Sequence, residues 1–285
     1  MNKIVLASLS TVIAGLIAAP ALAQDTAPSS DWTGPYIGGT LGMSWQPNYD
    51  RETLETLTFD TNGDGVYGDR VGAGTSNAFS PGFCRGRALG NNPGTCTGDK
   101  DKRVAWSVQA GYDMQFGNIV VGGVVEGGRS MIGNAVSGFS TTPASYVLNR
   151  RIDYDGSARL RAGLALGTGT LLYGTGGVAY AKVKNNFATS NTFNTFTESD
   201  TSSDEWGWTA GGGIEQKITD NFSIGVLYRY TKFNNVDGYT VRAGQGTPAS
   251  TTNPFVITPA GYTDIQRTND VFDNQSVRVT AAFRF

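Results

Sequence analysis

Ser276–Phe285 reads S-V-R-V-T-A-A-F-R-F, and the phase of this stretch decides the fold. Val277, Val279, Ala281, Phe283 and Phe285 fall on one face of an extended strand, and Ser276, Arg278, Thr280, Ala282 and Arg284 on the other, because successive side chains alternate. One face is apolar and the other is polar and charged. In water, a flat apolar strand that closes on an aromatic leaves an uncovered edge. A closed barrel in lipid has no such edge, and its rim presents a girdle of aromatic rings.

Working outward, the same period-two pattern recurs. Ile37, Gly39, Leu41, Met43 and Trp45 oppose Tyr36, Gly38, Thr40, Gly42 and Ser44 in a first strand, with Trp32 ahead of it as an expected interface anchor. A second strand over 103–115 sets Val104, Trp106, Val108, Ala110, Tyr112 and Met114 against Arg103, Ser107, Gln109 and Asp113. The third covers 119–131. The fourth, over 151–165, puts Ile152, Tyr154, Ala158, Leu160, Ala162 and Leu164 outward if Asp153, Asp155, Ser157, Arg159 and Arg161 point inward. A fifth over 171–183 has a poor pattern and an undecided facing. The sixth over 205–217 and the seventh over 222–231 restore the alternation, and Ser276–Phe285 is the eighth. Connections after strands two, four and six are short, whereas Gln46–Lys102, Ile132–Arg150, Lys184–Asp204 and Lys232–Asn274 are long. The expected fold is all-β: an eight-stranded antiparallel up-and-down transmembrane β-barrel with short periplasmic turns, long extracellular loops and periplasmic termini.

The start of the chain agrees. Met1–Ala23 has Lys3, an apolar run from Ile4 to Ala19 and an Ala21-Leu22-Ala23 cleavage signature, so it reads as a secretory signal peptide; Ser8, Ser10, Thr11 and Pro20 speak against a membrane-spanning helix. Removing those 23 of 285 residues leaves 262, enough for one large β domain or two small ones. Residues 24–31 form a short periplasmic leader and 32–285 the barrel domain, with no second domain expected. The 39 glycines, 14 phenylalanines and 12 tyrosines, with a hydrophobic fraction of 39%, leave no helical span after the signal. Mean hydropathy is slightly negative, as suits a barrel that shows lipid only alternate residues. A net charge of −2 without a basic stripe argues against a nucleic-acid partner.

The signal peptide, the W-T-G-P-Y-I-G-G opening at Trp32–Gly39, the Y-G-T-G-G-V-A-Y strand at Tyr173–Tyr180 and the closing A-F-R-F together resemble the small Gram-negative outer-membrane β-barrel family, of the opacity-porin and OmpA-like transmembrane type. The resemblance spans essentially the whole mature chain. It implies a location in the outer membrane, contact with the bilayer and lipopolysaccharide, delivery to the barrel-assembly machinery through the strand ending at Phe285, and a role as structural protein, weak pore, adhesin or surface antigen. The long first loop departs from the compact members.

For chemistry, the chain has no histidine, and hydrolases and acyltransferases on barrel scaffolds rely on a His base, so catalysis is not expected. Inward faces carry Glu126, Glu205, Glu215, Asp113, Arg159, Arg161, Arg229 and Arg278. Eight strands enclose a lumen just wide enough for side chains, so these charges are expected to interlock, either as a plug or as a gate whose ion pairs exchange. The sharpest local motif is D-T-N-G-D-G-V-Y-G-D at Asp60–Asp69. Asp60, Asn62, Asp64 and the Val66 carbonyl match calcium-loop positions, with Asp69 standing in for the missing carboxylate at Val71; the alternative is a plain Asp/Asn/Gly turn. Cys84 and Cys96, the only cysteines, are expected to pair, which for a loop this short contributes about 3 kcal/mol; free thiols are the alternative. The Thr/Ser/Asn-rich segments Asn191–Thr197 and Thr252–Pro259 read as polar hairpins, with an adhesive face for a surface ligand as the alternative. The expected function is a structural and surface-interaction role with a largely plugged lumen; the alternative is a passive porin for ions or small solutes.

Overall fold

A computed structural model describes residues 31–47, 55–72, 75–98, 102–234, 236 and 238–285. The signal peptide Met1–Ala23 and the leader up to Ser30 lie outside the described residues. The strands are, in chain order, β1 (Gly34–Trp45), β2 (Leu57–Asp60), β3 (Gly82–Arg85), β4 (Lys102–Phe116), β5 (Ile119–Arg129), β6 (Gly133–Ser140), β7 (Ala144–Leu166), β8 (Thr170–Thr189), β9 (Thr195–Ser199), β10 (Ser202–Lys217), β11 (Phe222–Phe233), β12 (Thr240–Gly244), β13 (Thr263–Arg267) and β14 (Phe272–Arg284).

Eight of them close a ring in the order β1-β4-β5-β7-β8-β10-β11-β14, every neighbour antiparallel. The ring shuts where β1 meets β14, from Tyr36↔Arg284 to Trp45↔Gln275. The alternation read from the chain appears directly as burial: Arg278, Thr280, Ala282 and Arg284 are buried inside, whereas Val279, Phe283 and Phe285 are exposed to the outside. On β4, Trp106 and Phe116 bound the apolar exterior. Ten residues at a rise of about 3.4 Å and a tilt of about 40° span roughly 25 Å along the barrel axis, the height of a lipid-facing band.

Three expectations are corrected. Ile152 was expected outside but is wholly buried, because the β7–β8 register shifts between Ile152 and Tyr154. This bulge inverts the phase of β7, so even-numbered residues point in above it and odd-numbered ones below it. Trp32 is not an interface anchor. It shares the inward phase of Tyr36 and is fully buried at the short-turn mouth. Finally, the segments Asn191–Thr197 and Thr252–Pro259 are not merely polar hairpins, because the long connections fold together. β6 continues along β7 where β5 stops, β3 adds to β6, and β2-β13-β12-β9 form a separate four-stranded sheet.

These pieces make a β-sandwich cap over the long-loop end. Its core joins Leu57 and Phe59 of β2, Val136 of β6, Tyr146 and Leu148 of β7, Val241 of β12 and Ile265 of β13. β2 and β12 keep the alternation, with Leu57 and Phe59 or Val241 and Ala243 turned to the core, whereas β6 is buried along nearly its whole length. Phe255, from the segment expected to be a polar hairpin, is buried there and packs on Tyr146 at 5.5 Å and on Phe79 at 5.9 Å. The cap shares β7 and β8 with the barrel, so the two are continuous through the same ladder.

Candidate functional site: the lumen and its cap

From the short-turn end upward, the lumen is filled in tiers. The lowest is a stopper made by Trp32 with Val120, Ala165, Leu171, Tyr173 and Leu227. The Trp32 ring lies 4.6 Å from the Arg284 guanidinium and 5.4 Å from Lys217, whose ammonium also donates to the Asp31 carbonyl. Its backbone N–H donates to Gln115 Oε1 at 2.8 Å.

The next tier is ionic and balanced. Arg284 donates to Asp113 at 2.9 Å and to Glu215 at 3.0 Å; Arg161 donates to Glu215 at 3.0 Å and to the Tyr36 hydroxyl at 3.2 Å, and lies 3.4 Å from Asp113. Ser223 supplies a further donor to Glu215 at 2.6 Å. Two glycines leave room for these groups. A Cβ on Gly111 would sit 2.4 Å from the Tyr36 ring, and one on Gly122 would sit 2.1 Å from an Asp113 oxygen.

Above it, Glu126 accepts from Arg159 at 2.5 Å and from Arg229 and Arg278 at 2.8 Å each. Asp155 lies 3.5 Å from Arg229 and 3.8 Å from Arg278. The cavity beside Asp155, Arg229 and Phe233 measures about 10 Å³, room for one water molecule. Then comes an apolar tier of Ile132, Ile152, Ala179, Ala181, Val183, Phe233 and Phe272. It settles the facing of the fifth predicted strand: Leu171, Tyr173, Ala179, Ala181 and Val183 point inward.

A third ionic cluster joins barrel and cap. Glu55 lies 2.6 Å from Arg267 and 3.6 Å from both Arg85 and Arg150. Arg150 also donates to Asn134 Oδ1, Asn269 O and Val271 O at 2.8–3.1 Å.

The structure thus brings Glu126, Arg159, Arg229 and Arg278 into one cluster and Arg161, Glu215 and Asp113 into another; Glu205 likewise turns inward and is buried. Sequence reasoning left Arg284 and Asp155 out of the network although both lay on faces it read as inward. The Glu55 cluster carried no local signal, because its members come from connections up to 212 residues apart.

In the first long connection, Asp60 accepts from the amides of Asn62, Gly63 and Gly65 at 3.1, 2.7 and 2.8 Å. Burial pushes its carboxyl up, but these amide donors outweigh burial and hold it below the usual range. Asp64 accepts from the Val66 amide and from the Asn62 side chain, and Asp69 accepts from Thr61. Gly63 and Gly65 take φ of 76° and 80°, the left-handed turns this ladder requires. Among the described residues no group of three or more His, Cys, Asp or Glu side chains is arranged to hold a metal ion. Cys84 on β3 and Cys96 are disulfide-bonded, with Cα atoms 6.4 Å apart.

The chain matches the family model described as outer membrane protein beta-barrel domain over residues 10–247. It is 28% identical over 260 residues to a 31 kDa outer-membrane immunogenic protein of Brucella melitensis biotype 1, covering 83% of this chain and 90% of that one. A 22 kDa outer membrane protein of Rhizobium leguminosarum bv. viciae is 34% identical over 130 residues, 46% of this chain and 53% of that one. Among solved structures, OprG from Pseudomonas aeruginosa aligns with a TM-score of 0.47 and 13% identity, covering 92% of this chain and 100% of that one. The ring closed by β1 and β14 and the family match over most of its length make this chain a member of the outer membrane protein beta-barrel domain family, a protein of the bacterial outer membrane.

Proposed function

We propose that this protein is a structural, surface-displaying component of the envelope, with a lumen that stays closed and no catalytic role. The observation that carries the reading is the tiered filling of the lumen: two ionic clusters, an apolar layer and the Trp32 stopper occupy the bore, and the cavity among them holds about 10 Å³. A barrel that spends its interior on packing and its connections on a disulfide-stapled sandwich is built to present the sandwich. In this reading the cap faces outward, where it meets a surface ligand, and the termini face the periplasm. The short turns at the opposite end support that orientation, and relatives named as immunogenic outer-membrane proteins are in keeping with a displayed cap. Phe285, at the end of the closing strand, is the group offered to the barrel-assembly machinery; deleting it lowers the yield of assembled barrel if so.

Single-channel recording on refolded protein in a planar bilayer tests the closed lumen. The expected trace lacks a steady opening, and a wide, steady conductance supports a passive pore instead. Brief trypsin treatment of intact cells tests the orientation: cleavage in the cap is expected, and a protected cap reverses the assignment.

A further inference from the structure

We propose that the middle tier of the bore holds one halide ion, bound between Arg229, Ser157 and Asn274 as a resident part of the filling. This goes beyond a closed lumen, since it gives the bore a ligand.

The charge count comes first. Arg159, Arg229 and Arg278 surround Glu126 and Asp155. An arginine keeps its proton in a protein, so three cations face two carboxylates and one positive charge is left over. Neighbouring tiers do not absorb it. Below, Arg161 and Arg284 are matched by Asp113 and Glu215. Above lies the apolar tier, and Glu205, the buried acid farther up β10, has a partner of its own. A surplus charge shut between such layers is far costlier than one in water unless a counter-ion accompanies it.

The hydrogen bonds show where that ion sits. Arg229 directs Nη1 to Glu126 at 2.8 Å and Nη2 toward Asp155 at 3.5 Å, while its buried Nε has no acceptor in the protein. The buried Ser157 hydroxyl likewise lacks a partner in the protein. Both residues line the cavity of about 10 Å³, together with Asn274, whose side-chain amide is a third donor. Arg229 and Asn274 are 4% and 5% exposed, so these donors are fixed within the wall of the bore. Asp155 lines the cavity too, but its charge is shared between Arg229 and Arg278.

Size and charge then choose the ligand. The cavity has room for one particle of about the size of water, which a halide approaches and a phosphate, sulfate or carboxylate exceeds. Water would satisfy the donors and leave the surplus charge in place. A halide accepts from the same N–H and O–H groups and cancels the charge as well.

Urea unfolding of the full chain, refolded into phospholipid vesicles and followed by tryptophan fluorescence, tests the ion. Chloride is present from the start of refolding, because the bore is shut at both ends, and sodium gluconate keeps the ionic strength constant. Release of one ion per molecule predicts an unfolding constant that falls about tenfold for each tenfold rise in chloride above the dissociation constant. Asn274→Asp brings a fixed carboxylate into the cavity. It is expected to abolish the chloride dependence and to unfold less readily than the wild type in gluconate alone. Equal dependence in both proteins is a general salt effect and overturns the site, as does no dependence in the wild type. Crystals of wild-type protein refolded in bromide are expected to show an anomalous scattering peak beside Arg229 Nε and Ser157 Oγ. Density there without anomalous signal marks a water bridging Ser157 to Asp155 and overturns the halide, even if Asn274→Asp fails to fold. Channel recording reads a path through the bore and these assays read one bound ion, so the two readings fail separately.

Discussion

Replacing Glu126 by glutamine removes one charge from the centre of the barrel and leaves its shape intact. Glu126 is buried, with its side chain 2% exposed, and it accepts from three guanidiniums within 2.8 Å. After the change, Arg229 and Arg278 keep Asp155 at 3.5 and 3.8 Å, while Arg159 loses its carboxylate partner at 2.5 Å. Breaking a buried ion pair from one side costs about 3–5 kcal/mol, and stranding Arg159 while leaving Arg229 and Arg278 only the more distant Asp155 puts Glu126→Gln toward about 5 kcal/mol. Because glutamine fills the same volume, no cavity contributes to the loss. Urea unfolding of the refolded protein in phospholipid vesicles, followed by tryptophan fluorescence, gives the difference. Adding Arg159→Gln to the variant should restore part of it, since one stranded cation is then gone. A loss below about 1 kcal/mol would refute the reasoning, because only a hydrated, screened lumen tolerates the change so easily.

Other outcomes follow from the cap. Cys84→Ser/Cys96→Ser should cost the cap about 3 kcal/mol and speed protease cleavage between those positions without altering the gel shift of the barrel. Tyr239 is buried and donates to Glu198; burial, reinforced by that acceptor, raises its pKa above the ordinary value. A raised tyrosine pKa favours the neutral folded form. Its contribution to cap stability is therefore complete below about pH 10 and lost as pH climbs through the raised value. Tyr239→Phe should flatten that alkaline limb in cap unfolding followed by near-ultraviolet circular dichroism. Asp60→Ala strips three amides of their acceptor and should loosen the turn by about 2 kcal/mol, seen as faster cleavage within residues 60–70. Calcium that slowed cleavage of the wild-type turn would favour the ion-binding reading of the motif.

What the chain disclosed and what it hid divide along one physical line. Lipid imposes a period of two on every spanning strand, so Val279, Phe283 and Trp106 announce their facing from local order alone. The same rule predicted the inward phase of Arg159, Arg161 and Arg278. It failed at Ile152 because one inserted residue inverts the phase, and nothing in R-I-D-Y-D marks the insertion. It failed at Trp32 because tryptophan at a barrel end suits either the interface or the lumen, and the choice is made by the cations Arg284 and Lys217, far away in the chain. Glu55, Arg85, Arg150 and Arg267 were invisible for a related reason: they meet only once the connections fold over the mouth. Phe255 and Phe196 looked like strays among Thr and Asn because the cap core they pack into is assembled from four separate connections.

The order of the tiers bears on whether exchange of ion pairs could open a path. Swapping Arg278 from Glu126 to Asp155 rearranges one layer and leaves the charges within it satisfied, which is how a gate would operate. The layer above offers no such alternative. Ile132, Ile152, Val183, Phe233 and Phe272 have no polar group with which to replace the water around an ion. An ion crossing it would lose its hydration without compensation, at a cost of several kcal/mol at least. Rearrangement in the Glu126 tier therefore ends against an apolar lid, and the Glu55 cluster and the sandwich lie beyond that. Conduction would require Phe233 and Phe272 to leave the bore, which the ladder between β11 and β14 resists, because Phe233 and Phe272 are direct partners in it. In the closed-lumen reading proposed above, lumen charge serves to neutralise and pack the interior, and the surface left for interaction is the outside of the cap.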